Sequence, residues 1–240
     1  MSKMRLYCFP YAGGSAAVFN KWRTYLNRRI ELVPVELAGR GARFREAFYG
    51  SLFEAVNDLY SKLNPTFTHS PYAFFGHSMG SLLVYELCHK IMAENRKEPV
   101  HIFLSGKSPP HLKRETKLLH TLPIEKFKEE IYEIGGTPRE VLENQELMDI
   151  FIPILKADYQ IYETYEFTPR DTKLKMGITV FNGISDNIGY ETMLEWGKYT
   201  SGSSEIYQFE GGHFFIHQHT VEIVEIINKT LSRYCPAIAN

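Results

Sequence analysis

Gly76-His77-Ser78-Met79-Gly80 sets a serine between two glycines. A short aromatic run, Tyr72-Ala73-Phe74-Phe75, precedes it, and Leu83, Leu87 and Ile91 recur at helical spacing in the stretch from Ser81 to Asn95 that follows. Gly-x-Ser-x-Gly between a strand and a helix is the pattern of a nucleophile elbow. The chain must reverse sharply on either side of Ser78, and side chains at 76 and 80 would crowd that turn. Such a turn lifts the serine oxygen above the sheet. It also leaves the N–H of Met79 at a helix N-terminus, aimed at a developing oxyanion.

A serine hydroxyl needs a base, and the base needs a group to orient it. In this strand–turn–helix setting the chain order is serine, acid, histidine. The β-branched run Gly177-Ile178-Thr179-Val180-Phe181-Asn182-Gly183 is followed by Asp186. The alternating run Glu205-Ile206-Tyr207-Gln208-Phe209-Glu210 is followed by Gly211-Gly212-His213. Both candidates fall just past the C-terminal end of an expected strand, where ligands gather in open α/β sheets. We therefore expect Ser78, Asp186 and His213 to form a catalytic triad. The turn after the first strand, Pro10-Tyr11-Ala12-Gly13-Gly14, is placed to supply the second oxyanion N–H, from Tyr11 or Ala12, with Met79 supplying the first.

Each residue also has a plainer reading. Ser185-Asp186-Asn187 is turn-forming by itself. His213, His217 and His219 are spaced H-x3-H-x-H, but no carboxylate or cysteine completes a metal set, and no metal is expected. The side chain of His77 should point away from the serine's face. Arg40, Arg43 and Arg45 read as cations on a solvated loop, with a phosphate contact as the alternative.

The elements that must position these residues are legible as β-rich runs at Arg5–Phe9, Ile30–Val35, Tyr72–Phe75, Val100–Leu104, Gly177–Phe181 and Glu205–Phe209. Helical patterns separate most of them. Ser51-Leu52-Phe53-Glu54 is a capping box opening one such helix. The alternation predicts an α/β fold with a mostly parallel sheet covered on both faces. The interval 106–174 contains no convincing strand and reads as a helical lid insertion over an acyl-binding cleft. Pro123 starts one helix there and Gly135-Gly136 ends it. Thr137-Pro138-Arg139-Glu140 starts a second, and a third runs from Gln145 to Tyr165, where Pro153 should kink or split it.

At 240 residues and 44% hydrophobic content, a single domain spanning 1–240 is expected. A net charge of −1 gives no electrostatic case for nucleic acid or an anionic membrane. Cys8, Cys88 and Cys235 match no disulfide framework or zinc spacing, which fits a reducing compartment. The first strand begins within a few residues of Met1, and no apolar run approaches ~20 residues. The expectation is a cytoplasmic, monomeric enzyme.

Phe9-Pro10-Tyr11-Ala12-Gly13-Gly14-Ser15, Val35-Glu36-Leu37-Ala38-Gly39-Arg40-Gly41, the elbow itself, Gly135-Gly136-Thr137-Pro138 and Phe209-Glu210-Gly211-Gly212-His213-Phe214 together resemble the type II thioesterases. These are stand-alone α/β hydrolases that accompany non-ribosomal peptide and polyketide synthetases. The similarity covers nearly the whole chain and is strongest to members beside Bacillus-type systems such as those for gramicidin S and surfactin. Ala38 departs from the proline common there. The resemblance implies hydrolysis of acyl or aminoacyl groups wrongly attached to the phosphopantetheine thiol of carrier domains, with no cofactor of the enzyme's own. It matches Ser78, Asp186 and His213 to the family's triad. Carrier domains are usually acidic around their modified serine, so the basic stretch holding Lys107, Lys113, Arg114 and Lys117 is a candidate docking face, with Lys113 and Arg114 at its centre. The same triad would serve an acyltransferase or a general carboxylesterase. A non-catalytic binding module on this fold would be expected to lack a triad member, and none is missing.

Overall fold

The computed structural model describes residues 3–67, 70–112, 117–135 and 144–234. Its strands are β1 (Met4–Phe9), β2 (Ile30–Pro34), β3 (Tyr72–His77), β4 (His101–Ser105), β5 (Gly177–Gly183) and β6 (Ser204–Phe209). All pair in parallel, in the order β2-β1-β3-β4-β5-β6. Helices α1 (Leu52–Leu63), α2 (Met79–Ala93), α3 (Ile124–Ile134), α4 (Gln145–Glu163), α5 (Tyr190–Leu194) and α6 (Thr220–Ser232) connect or cover them. The expected α/β class and mostly parallel sheet are what the chain adopts.

Alternation along the strands divides the core in two. Tyr7 and Phe9 of β1 and Tyr72 and Phe74 of β3 pack with α1 and α2 on one face. Leu6 and Cys8, with Ala73 and Phe75, pack with α6 and the 3-10 segment Ala16–Thr24 on the other. Every residue of β3, β4 and β5 is buried, as a sheet covered on both faces requires. The order turns back at β1, since β2 lies to one side of it and β3 to the other. The crevice at the C-terminal ends of β1 and β3 is therefore the switch point where such sheets bind ligands.

Ser51 caps α1, its Oγ accepting the N–H of Glu54 at 3.1 Å. The Glu54 carboxylate reaches back to the N–H of Gly50 at 2.7 Å, one residue before the partner a capping box would use. Helix α2 begins at Met79, two residues earlier than its periodicity indicates, because Ser78 itself is the N-cap.

Between β4 and β5, α3, α4 and the 3-10 segment Leu119–Thr121 build a third cluster from Leu119, Phe127, Ile131, Met148, Ile152 and Leu155. Gly135, at φ +86°, ends α3 as expected. The helix start expected at Thr137-Pro138 lies outside the described residues. Pro153 does not split α4, which runs unbroken from Gln145 to Glu163. Both Pro153 and Asp149 are exposed, so the carbonyl that loses its proline-blocked partner can turn to water. No helix among the described residues is long and apolar enough to cross a membrane.

Candidate active site

Ser78 has φ 53° and ψ −116°, a conformation that non-glycine residues hold only when their surroundings dictate it. Those surroundings are backbone. A Cβ on Gly76 would stand 2.3 Å from the carbonyl oxygen of Gly80, and one on Gly80 would stand 2.2 Å from that of Phe9. The Ser78 N–H donates to the Ser105 carbonyl at 2.7 Å. Ser81 stitches the same corner, its hydroxyl donating to the Gly76 carbonyl at 2.7 Å and accepting the Ser105 N–H at 2.9 Å. The glycines thus let β1, β3 and the start of α2 close on one another, and the turn presents Ser78 at the sheet's C-terminal edge.

Asp186 sits in the turn after β5, its N–H donating to the Gly183 carbonyl at 3.1 Å. One of its carboxylate oxygens, Oδ1, accepts the Asn187 N–H at 2.7 Å. The other, Oδ2, lies 2.8 Å from His213 Nδ1. A carboxylate can only accept, so in the neutral imidazole this contact selects the tautomer with its proton on Nδ1 and a lone pair on Nε2. Phe214 meets the His213 ring edge-on at 5.2 Å. Ser78, Asp186 and His213 all line one cleft of about 1070 Å³, whose opposite wall includes Tyr159 and Tyr162 of α4.

The turn after β1 completes the arrangement. Packing of Gly80 against Phe9 and Pro10 brings this turn to the N-terminus of α2. The Gly14 N–H is taken by the Tyr11 carbonyl at 2.9 Å and the Gly13 N–H by Asp158 at 2.7 Å. That leaves the amides of Tyr11 and Ala12 as the turn's donors, alongside the first-turn amide of Met79. A serine on a sharp strand–helix corner, an imidazole oriented by a carboxylate, and nearby backbone amides are an arrangement suited to acyl transfer.

A family model described as a thioesterase domain matches residues 4–231. The chain belongs to the thioesterase family. It is 34% identical to the gramicidin S biosynthesis protein GrsT of Aneurinibacillus migulanus, over 96% of this chain and 90% of that protein. It is 35% identical to the linear gramicidin dehydrogenase LgrE of Brevibacillus parabrevis, over 97% of this chain and 89% of that one. Among solved structures, ClbQ from the colibactin NRPS/PKS pathway is 40% identical, covers 97% of this chain and 98% of its own, and has a TM-score of 0.92. The resemblance read from the motifs is thus to the right family, and the fold is that of the α/β-hydrolase thioesterases.

Other side chains of this thioesterase lie where the sequence did not put them. Arg40 is not solvated: it is 3% exposed and bonded to Asp158. Arg43 is held by Glu46, Asp58 and the Tyr49 hydroxyl. Neither guanidinium is a free cation on a loop. His77 is fully buried, with Nδ1 2.8 Å from Ser105 Oγ and its ring 5.1 Å from that of His213. Burial pushes its pKa well below the usual histidine range, so it is a neutral packing partner for the imidazole above. The three spaced histidines take separate partners: His213 has Asp186, His217 has the Tyr11 hydroxyl at 3.1 Å, and His219 has the Glu210 carbonyl at 3.0 Å. Lys107 donates to the Tyr162 hydroxyl at 2.9 Å on the cleft wall, and Lys117 pairs with Glu130. Lys113 and Arg114 lie outside the described residues.

Sequence reasoning missed Asp158 altogether. A signal was present: an acid on the same helical face as Phe151 and Leu155 demands a buried partner.

Proposed function

We propose that this chain is a serine thioesterase that removes acyl or aminoacyl groups from the phosphopantetheine thiol of carrier domains, in the cytoplasm and without a cofactor of its own. The observation that carries the reading is the 2.8 Å contact of His213 Nδ1 with Asp186 at the cleft that also holds the strained Ser78 elbow. His213 Nε2 takes the Ser78 proton as Oγ attacks the thioester carbonyl. The oxyanion is received by the amides of Met79 and of Tyr11 or Ala12. The C–S bond breaks, the thiol leaves, and acyl-serine remains. Water, deprotonated by His213, then adds to that ester, and Ser78 leaves reprotonated. A thiolate is a good leaving group, so the acid role of His213 matters less than its base role. The turn Pro10-Tyr11-Ala12-Gly13-Gly14 lacks the Gly-x-Gly-x-x-Gly spacing of a dinucleotide-binding turn, which favours hydrolysis over hydride transfer.

The test is release by mass from a carrier domain loaded with acetyl, aminoacyl and long acyl groups, with a fluorophosphonate labelling Ser78 in parallel. Ser78→Ala should fold normally, lose labelling, and release acyl groups at least about 10³-fold more slowly. Transfer of the acyl group to an added alcohol or amine in preference to water would support an acyltransferase instead. Labelling that persists in Ser78→Ala would remove the serine assignment.

A further inference from the structure

Asp158 is an acid on the inner face of α4, where Phe151 and Leu155 precede it at helical spacing. That face packs on Gly13. A Cβ on Gly13, which sits at φ +79°, would stand 2.5 Å from Leu155 Cδ2 and 3.3 Å from Phe151. The Asp158 side chain is 2% exposed and that of Arg40 4%. Arg40 Nη1 donates to Asp158 Oδ2 at 2.5 Å, and Nη2 to Oδ1 at 2.6 Å. Both groups then reach the turn after β1. Oδ2 accepts the Gly13 N–H at 2.7 Å, and Nη1 also donates to the Gly14 carbonyl at 3.2 Å.

The turn is therefore held by the amide donor of Gly13 and the carbonyl acceptor of Gly14, on the peptide groups that flank the Gly13–Gly14 bond. Fixing the Gly13 N–H fixes the plane it shares with the Ala12 carbonyl, immediately after the peptide groups that carry the Tyr11 and Ala12 amides. A buried ion pair of this kind adds little net stability over well-packed apolar side chains. What it adds here is direction, since apolar side chains cannot orient a peptide plane.

We propose that Asp158, held by Arg40, is a positioning residue for the oxyanion donors, so that the seating of α4 in the insertion sets the geometry of the turn after β1. This rests on the serine-thioesterase reading above. Neither side chain touches the reacting atoms. Their effect passes through Gly13 and should appear in the transition state more than in substrate binding.

The test uses a small soluble thioester, butyryl-N-acetylcysteamine, which removes carrier docking from the measurement. Two variants are compared with the wild type: Asp158→Asn, and the double change Arg40→Met with Asp158→Leu, which replaces the pair by apolar side chains. Thermal melting reports the folded fraction, and fluorophosphonate labelling counts competent sites. In the folded fraction, kcat per site should fall about 10- to 100-fold, with KM changed by less than about threefold. Affinity for a trifluoromethyl ketone analogue, which forms a tetrahedral oxyanion on Ser78, should fall by the same factor as kcat/KM. A purely structural cross-link would lower the melting temperature and leave kcat per site and ketone affinity unchanged. That result in either variant overturns the proposal. Ketone affinity is read without turnover. Failure of the wild type to hydrolyse the thioester would count against the function reading alone, and the ketone comparison would still decide the role of the pair.

Discussion

The two walls of the cleft are built differently. On the sheet side, backbone does the positioning. Ser78 follows β3 and is tied to Ser105 at the end of β4, Asp186 occupies the turn after β5, and His213 follows β6. Five parallel pairings hold those strand ends in register. On the insertion side, side chains do it. Asp158 and Arg40 fasten α4 to the turn after β1, Lys107 meets Tyr162, and Glu86 holds Arg170 and Tyr165 where the chain leaves α4. A parallel sheet tolerates the loss of one side chain without losing its strand ends. A wall fastened by a few buried polar contacts does not. Changes on the sheet side should therefore alter chemistry at nearly constant stability, whereas changes at the insertion's outer fastening should alter stability at nearly constant chemistry.

Asp186→Asn is the sharpest test of the sheet side. The amide that replaces the carboxylate can donate to His213 Nδ1, which favours the tautomer with its proton on Nε2 and removes the base. We expect kcat to fall about 10³- to 10⁴-fold with the melting temperature nearly unchanged. Turnover like that of the wild type would place the acidic member of the triad elsewhere.

Glu86→Gln is the matching test of the insertion. Glu86 is 2% exposed and accepts from the Tyr165 hydroxyl at 2.6 Å and from Arg170 Nη2 at 2.6 Å. Loss of its charge leaves the guanidinium poorly paired. The Arg170 side chain is 25% exposed, however, so water can take up part of the deficit. We expect a destabilisation of about 1–3 kcal/mol, measured by urea unfolding, with kcat per labelled site within about twofold of wild type. A loss of kcat approaching that of Asp186→Asn would show that both fastenings reach the chemistry, and the contrast between the walls would fail.

The same contrast explains what could be read from the chain. Ser78, Asp186 and His213 each announce themselves through a short local pattern: an apolar run, a turn and a polar residue at its end. Six such runs also gave the sheet, with boundaries shifted by one or two residues because caps and ladder ends are set by neighbours. Arg40 and Asp158 are 118 residues apart in sequence, so no local pattern joins them. Three arginines within six residues look alike until the fold buries Arg40 and ties Arg43 to Glu46 and Asp58. That Pro153 does not split α4 has a related reason: its cost there depends on which face is wet, and periodicity alone does not settle that. The insertion was recognisable as helical, but its fastening depends on pairs brought together only by the fold.

The smallest expected effect concerns the carrier partner. In the basic stretch at the front of the insertion, Lys107 is engaged with Tyr162 and Lys117 with Glu130. Lys113 and Arg114 are the cations we propose to meet an acidic carrier surface. Charges at the rim of an interface act chiefly on encounter and are screened by salt, with a Debye length of about 8 Å at physiological ionic strength. Reversal of Lys113 and Arg114 to Glu should lower kcat/KM for a loaded carrier domain about three- to tenfold at low salt. The deficit should shrink as salt is raised, and butyryl-N-acetylcysteamine should be hydrolysed as by the wild type. The decisive comparison is between the two substrates at two ionic strengths. If the carrier-bound acyl group gains nothing over the small thioester, and neither salt nor charge reversal alters the ratio, then the insertion does not recognise a carrier through this stretch. The cleft would then be better described as that of a general esterase.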